Sequence, residues 1–402
     1  MTPKFFRKVL SNGMTVILEK RDLPVVSVTF AVRAGGINED LSEKGISHFI
    51  EHMLYKGTAK RNTKQIAGEI EKRGGELNGF TSEEITAYYC KMPSKHLGVA
   101  LEVLSDMVKN PLFDETELEK ERQVIFEEIK MRKDIPSVYV FDKMQDFLYT
   151  GTMEISVTGT VETMSSIGRE QMLKKFEETY TPNNLILCVV GDADFDKLVD
   201  FAEKTFGNEK GKVPTQKFGL KNEVKTEKRK GIDQANSVFA YHIPLGGDKK
   251  SYAAKILGIL MAGGMSSRLF EEIREKRNLA YSVKGDSQIT ENFAYSFIYV
   301  GCAKENVEKV KKLILEEYKK VSDSLNEEEL NHIKTQLIGN HHISQEDSQS
   351  QMVSLLAHEI DGDAKKFYEF EKNISEVKLK DVKALAKKVV KGDYSFFALL
   401  PA

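Results

Sequence analysis

At 402 residues the chain is too long for one ordinary domain, and about 150 residues per domain predicts two or three. Apolar residues make up 41% and charged residues 30%, a composition that excludes global disorder. The 59 basic and 61 acidic side chains leave a net charge of −2, which argues against a generic nucleic-acid binder with a basic field.

Cys90, Cys188 and Cys302 are far apart and sit in or beside apolar, strand-like runs. They read as buried free thiols in a reducing compartment, and no CxxC pair offers a cysteine-based zinc site. The first twenty residues (MTPKFFRKVLSNGMTVILEK) hold no signal-peptide apolar run, and no stretch approaches a membrane span. The expectation is a cytoplasmic protein with no membrane and no nucleic-acid partner.

Residues 14–20 and 25–33 are β-branched and alternating, and predict two strands. A helix follows at about 44–55, ended by Gly57, and another at 63–73, ended by Gly74-Gly75. Residues 84–92 read as a strand, 96–109 as an amphipathic helix, 115–133 as a long charged helix stopped near Pro136, and 184–190 as a buried strand. Residues 207–231 are charged and poor in large apolar side chains, which is linker composition. The predicted division is therefore 1–215, a linker at 216–231, and 232–402.

The second half echoes the first. SVTFAVRAGGINED (27–40) parallels SVFAYHIPLGGDKK (237–250), and TAYYCKMPSKHLGVALEVLSDMV parallels FAYSFIYVGCAKENVEKVKKLILEEY. Two blocks in one order predict a duplication. The expected fold class is α+β: two homologous domains, each a mostly antiparallel sheet with helices packed on one face.

The most informative segment is GISHFIEHML (45–54). His48 and His52 are four apart, so a helix puts both imidazoles on one face, where they can hold one metal ion. Glu51 lies on the same side and can serve a reacting water without ligating. This H-x-x-E-H order is expected by composition about 0.02 times in such a chain. A catalytic zinc site needs a third protein ligand. The long helix offers Glu121, Glu127 and Glu128, with Glu121 and Glu128 two turns apart. Val124 and Ile125 between them predict a buried face. Spacing alone leaves Glu127 and Glu128 open.

His48, Glu51 and His52, with Glu121 and Glu128 downstream, resemble the pitrilysin/insulinase family of zinc metallopeptidases. The 75 residues between His52 and Glu128 are close to that family's spacing. The resemblance spans nearly the whole chain. Its short members are of the mitochondrial processing peptidase type. It implies one Zn2+ per chain held by His48, His52 and Glu128, with Glu51 as general base and Glu121 orienting a ligand from behind. GGELNGFTS (74–82) resembles the segment entering the substrate-pairing edge strand, which implies a substrate role for Asn78. FEEIREKRNLAYSV (270–283) resembles the second-half segment whose Arg and Tyr serve the active site, here Arg274 and Tyr281, with Asn278 where many relatives carry glycine. Seven residues apart, these two would share one face of a helix.

The implied activity is zinc-dependent hydrolysis of peptides or unfolded polypeptide segments, by a homodimer. The strand at 84–92 is the expected acceptor of an extended peptide by β-augmentation. The alternative is a non-catalytic scaffold or partner subunit. Such members typically lose part of the metal motif or of the Arg/Tyr block, and this chain keeps both. His341-His342, His358-Glu359 and Gly263-Gly264 complete no further motif.

Overall fold

The computed structural model describes residues 4–402. In chain order come β1 (Lys4–Val9), β2 (Thr15–Lys20), β3 (Val25–Val32), α1 (Ile46–Leu54), α2 (Thr63–Glu71), β4 (Glu76–Thr81) and β5 (Thr86–Pro93). Helices α3 (Leu97–Lys109), α4 (Glu115–Asp134), α5 (Pro136–Leu148), α6 (Val161–Ser166) and α7 (Arg169–Thr179) follow, then β6 (Leu185–Gly191) and α8 (Phe195–Thr205). The remainder is β7 (Val224–Arg229), β8 (Ala235–His242), α9 (Lys250–Ala262), β9 (Ala280–Ile289), β10 (Ala294–Cys302), α10 (Val307–Ser324), α11 (Glu327–Ser344), α12 (Ser348–Ile360), α13 (Phe370–Glu376), α14 (Leu379–Val390) and β11 (Ser395–Pro401).

The chain folds as two compact units. The first takes in the chain up to Lys130, Gly151–Lys217 and Ser344–Ala364; the second takes in Met131–Thr150, Phe218–Ile343 and Lys365–Ala402. A single cut at 216–231 would put 131–150 with the first half and 344–364 with the second. By packing each goes the other way. The helices explain it: α5 lies against β8 and β11, and α12 against β3 and β6.

In the first unit the strand order is β1-β2-β6-β3-β5-β4, antiparallel except for the β2–β6 pair. Strand β3 shows how sequence builds the layers. Its side chains alternate between faces. Val26, Val28, Phe30 and Val32 enter the core with α3, whose Leu101, Leu104 and Met107 recur at helical spacing. Ser27, on the opposite parity, meets Ser348 of α12, with the two hydroxyls 2.9 Å apart. The same parity carries Arg33, which with Arg7 holds the buried Glu359 at the end of α12.

The second unit repeats this order. Its sheet runs β7-β11-β8-β10-β9, again antiparallel apart from one parallel pair, β7–β11. Strand for strand it matches β2-β6-β3-β5-β4, so the duplication expected from the two echoed blocks is present in the topology. Phe239 and Phe396 enter a core with α9, α10 and α14. Phe397, on the other face, stacks on Phe147 of α5 at 5.0 Å between centroids. The α+β class with two sheets holds, with one further helix against the second face of each sheet.

Two expectations need correction. Part of the stretch read as linker is strand β7, VKTEKR, paired with β11. A strand paired on one side keeps its charged side chains in water, so linker-like composition does not prevent pairing. The strand read at 84–92, now β5, is paired on both sides, with β3 and with β4. It has no free edge for a peptide. The edge strands of this sheet are β1 and β4; β4, which carries Asn78 and Gly79, has weak β propensity of its own and forms because β5 templates it.

All three cysteines are free and buried, as expected. Burial pushes the Cys90 thiol up to about 12 and the Cys302 thiol up to about 11. Among the described residues, no helix is long and apolar enough to cross a membrane.

Candidate metal centre

Helix α1 presents the H-x-x-E-H residues, and its start is fixed by buried charge. Glu39, fully buried, accepts from the backbone N–H groups of Gly45 at 2.9 Å and Ser47 at 2.7 Å. These are donors the first helical turn cannot satisfy internally. Lys44, also fully buried, sits 3.8 Å from both Glu39 and Glu83 and donates to the Gly36 carbonyl at 2.7 Å. Gly45 begins the helix at φ +94°, where a Cβ would meet the Gly159 backbone at 2.9 Å, so a side chain is excluded on both counts.

The i, i+4 spacing does what it promises. The Nε2 atoms of His48 and His52 lie 3.2 Å apart. Glu128 comes from α4, with Oε2 3.5 Å from His48 Nε2 and 3.8 Å from His52 Nε2. Two nitrogens about 2.0–2.1 Å from one tetrahedral ion would stand about 3.3 Å apart. The three donors, all within 4.8 Å of one another, therefore fit a single small cation.

Helix α4 is rotated so that Ile125 is buried and Glu121 nearly so. Val124, expected on that buried face, is instead 50% exposed. Positions 124 and 125 lie about 50° to either side of the Glu121–Glu128 line, and the side carrying Ile125 is the one that packs inward. Glu127 is 78% exposed and pairs with Lys130 at 3.9 Å. Of the two carboxylates left open by spacing, the fold brings Glu128 to the histidines and leaves Glu127 in solvent. Arg122 helps seat the helix, with its guanidinium 5.3 Å from the Phe49 ring of α1.

Behind the histidines, Glu121 Oε2 is 3.1 Å from His52 Nδ1, and its other oxygen is 2.6 Å from Lys56 Nζ. A carboxylate at Nδ1 holds the proton there and leaves Nε2 with its lone pair toward the ligand point. Lys56 was not singled out in the sequence. It pairs with Glu121 from one turn beyond the motif, and its i+4 spacing from His52 was the available signal.

Glu51 is largely buried between α1 and the open edge strand. Desolvation raises its carboxyl above the ordinary value; the neighbouring His52 and the Thr81 hydroxyl pull it down, and Glu128 pushes it up. Thr81 Oγ1 donates to Glu51 Oε2 at 3.4 Å. Asn78 is exposed on β4, where its Oδ1 accepts from Gly79 N–H at 2.8 Å.

Arg274 and Tyr281 belong to the second unit. They do not share a helix, as their spacing suggested. Arg274 lies on a π-helical turn, Phe270–Glu275, and Tyr281 on β9. Asn278, at φ +50°, makes the reversal between them in the left-handed conformation that asparagine tolerates. The turn still brings them together: the guanidinium sits 5.2 Å from the Tyr281 ring centroid, and Tyr281 is 78% exposed.

Known proteins resemble this chain in sequence and in fold. Residues 15–161 match the insulinase family (peptidase family M16), and residues 166–337 match the peptidase M16 inactive domain. An uncharacterized zinc protease of Rickettsia felis is 33% identical over 354 residues, covering 86% of this chain and 85% of that protein. The uncharacterized zinc protease YmxG of Bacillus subtilis is 32% identical over 404 residues, covering 98% of each. The crystal structure of a protease from Helicobacter pylori shares the fold with a TM-score of 0.92 at 22% identity, over 99% of this chain and 100% of that one.

Proposed function

Because this chain belongs to the insulinase family of peptidases, M16, we propose that it is an active zinc endopeptidase that hydrolyses peptides or unfolded polypeptide segments. The observation that carries this reading is the convergence of His48, His52 and Glu128 on one point, with Glu51 beside them and outside the donor set. One zinc ion per chain is proposed there. Zinc, when bound, supplies Lewis-acid polarisation of a carbonyl and acidification of water.

The protein's own residues do the rest. Glu51 takes a proton from the attacking water and returns it to the leaving amine nitrogen. Desolvation raises its carboxyl and so strengthens it as a base, which favours the uptake. Glu121 keeps the His52 tautomer. The open edge of β4 takes the substrate backbone as an added strand, with Asn78 at that edge. Such pairing reads main chain rather than side chains, which suits unfolded segments of varied sequence. On the family resemblance, Tyr281 donates to the developing oxyanion and Arg274 binds substrate carbonyls. The packing of Arg274 against the exposed Tyr281 ring supports treating the two as one device. The reading includes a homodimer and a cytoplasmic location, supported by the resemblance and by three unpaired cysteines.

The test is hydrolysis of internally quenched unstructured peptides, with metal quantified on the same sample and the molecular mass measured by light scattering. Near-stoichiometric zinc is expected, with cleavage abolished and zinc retained in Glu51→Gln. Zinc-free, inactive protein would leave the scaffold reading instead.

A further inference from the structure

Tyr55 closes helix α1, its backbone N–H returning to the His52 carbonyl at 3.3 Å. Its ring tilts against Tyr88 at 6.0 Å, and the Tyr88 hydroxyl is engaged with that of Tyr180 at 2.7 Å. Packing thus fixes where the Tyr55 hydroxyl lies. That hydroxyl is buried and, among the described residues, has no hydrogen-bond partner. Leaving a buried hydroxyl unsatisfied is costly, so its position calls for an explanation.

The neighbouring edge strand supplies one. A Cβ built on Gly79 of β4 would lie 2.4 Å from Tyr55 Oη and 3.0 Å from Glu51 Oε1. The hydroxyl therefore fills the space a side chain at 79 would need, and it shares that space with the carboxylate. The third neighbour of the same point, the Ala87 carbonyl at 2.9 Å, belongs to a residue paired on both sides within the sheet. Glu51 Oε2 has the long Thr81 contact, and Oε1 borders the same Gly79 space as the phenol. Burial, and after it the Glu51 charge, push the Tyr55 phenol above its ordinary value, so it keeps a proton to donate.

We infer that Tyr55 is a positioning residue for Glu51. Its hydroxyl, admitted by the absent side chain of Gly79, donates a hydrogen bond to the Glu51 carboxylate, directly or through one water, and holds it for proton transfer. This rests on the zinc-peptidase reading, in which Glu51 is the base.

The experiment compares wild type with Tyr55→Phe, which removes only the hydroxyl. The expected result is kcat lowered about 3- to 10-fold, with KM and zinc content unchanged. A merely structural role would lower the folded fraction without separating kcat from KM. Gly79→Ala, whose methyl displaces the hydroxyl, is expected to reproduce that loss on its own and to add little when combined with Tyr55→Phe. Unchanged kcat in Tyr55→Phe would overturn the inference. So would additive effects of Tyr55→Phe and Glu51→Ala on the urea midpoint of the zinc-free protein, since a hydrogen bond makes them non-additive. If wild type cleaves no peptide, the peptidase reading fails by itself, and the unfolding cycle still decides whether the hydroxyl bonds Glu51.

Discussion

His52 Nδ1 stands 3.1 Å from Glu121 Oε2, so one carboxylate on α4 orients one imidazole on α1. Lys56 Nζ lies 2.6 Å from the other oxygen. Replacing Glu121 by Gln keeps the shape and removes the charge. Removing such an outer partner typically costs about 10- to 100-fold in metal affinity or activity. Zinc affinity of Glu121→Gln, measured by competition with a chromophoric chelator, is expected to fall in that range while the fold is kept. Unchanged affinity would show that His52 does not need Glu121.

Glu127 and Glu128 are adjacent in sequence and opposite in fate. The Glu128 carboxylate lies within 3.8 Å of both histidine Nε2 atoms, whereas Glu127 is 78% exposed. Glu128→Ala leaves two protein ligands, too few for the three that a catalytic zinc site uses. It is expected to lose bound zinc and peptide hydrolysis together. Glu127→Ala is expected to keep both, with a stability change within about 0.5 kcal/mol. Metal content by mass spectrometry on the two purified variants decides it.

That contrast shows what was readable in the sequence. His48, Glu51 and His52 lie on one helix, so their geometry is local and follows from 3.6 residues per turn. Glu128 sits on another helix, and its orientation depends on which side of α4 packs inward. The pattern suggested Val124 with Ile125, and only Ile125 is buried. Strands β4 and β7 exist because a neighbour pairs with them, not because ELNGFT or VKTEKR favour extension. The crossing of α5 and α12 into the opposite units depends on contacts hundreds of residues apart, such as Ser27 with Ser348. The Tyr55 hydroxyl beside Gly79 is likewise invisible until β4 is laid against α1.

One carboxylate near the C-terminal end of α12 ties the helix to two arginines of the first sheet. Glu359, 1% exposed, takes Arg7 at 2.7 Å on one oxygen and Arg33 at 2.7 Å on the other. It also accepts from the Ala364 N–H at 3.2 Å. Removing one member of a buried ion network strands the others. Because both arginines are partly in water, the expected loss for Glu359→Ala is about 2–3 kcal/mol, at the lower end for such deletions. Urea unfolding checks the figure, and limited proteolysis of the 344–364 segment should speed up in parallel. A loss below about 0.5 kcal/mol would assign the attachment of α12 to apolar packing instead.

His242, at the end of β8, links the stability of the second unit to pH. Its Nε2–H donates to the Lys221 carbonyl at 3.0 Å, and its ring packs edge-on against Tyr149 at 5.3 Å. Burial holds the imidazole below its ordinary value, against the Lys221 and Leu148 carbonyls, which pull it up. A base whose folded value is depressed binds fewer protons folded than unfolded. The stability it contributes is present above the unfolded value of 6.5 and is lost as pH falls below it toward the lower folded value. The denaturant midpoint of wild type should therefore drop as pH is lowered through this window. His242→Gln keeps an N–H for the Lys221 carbonyl and cannot titrate. Its midpoint should fall less steeply over the same pH range, and equal slopes for the two proteins would remove His242 as the source.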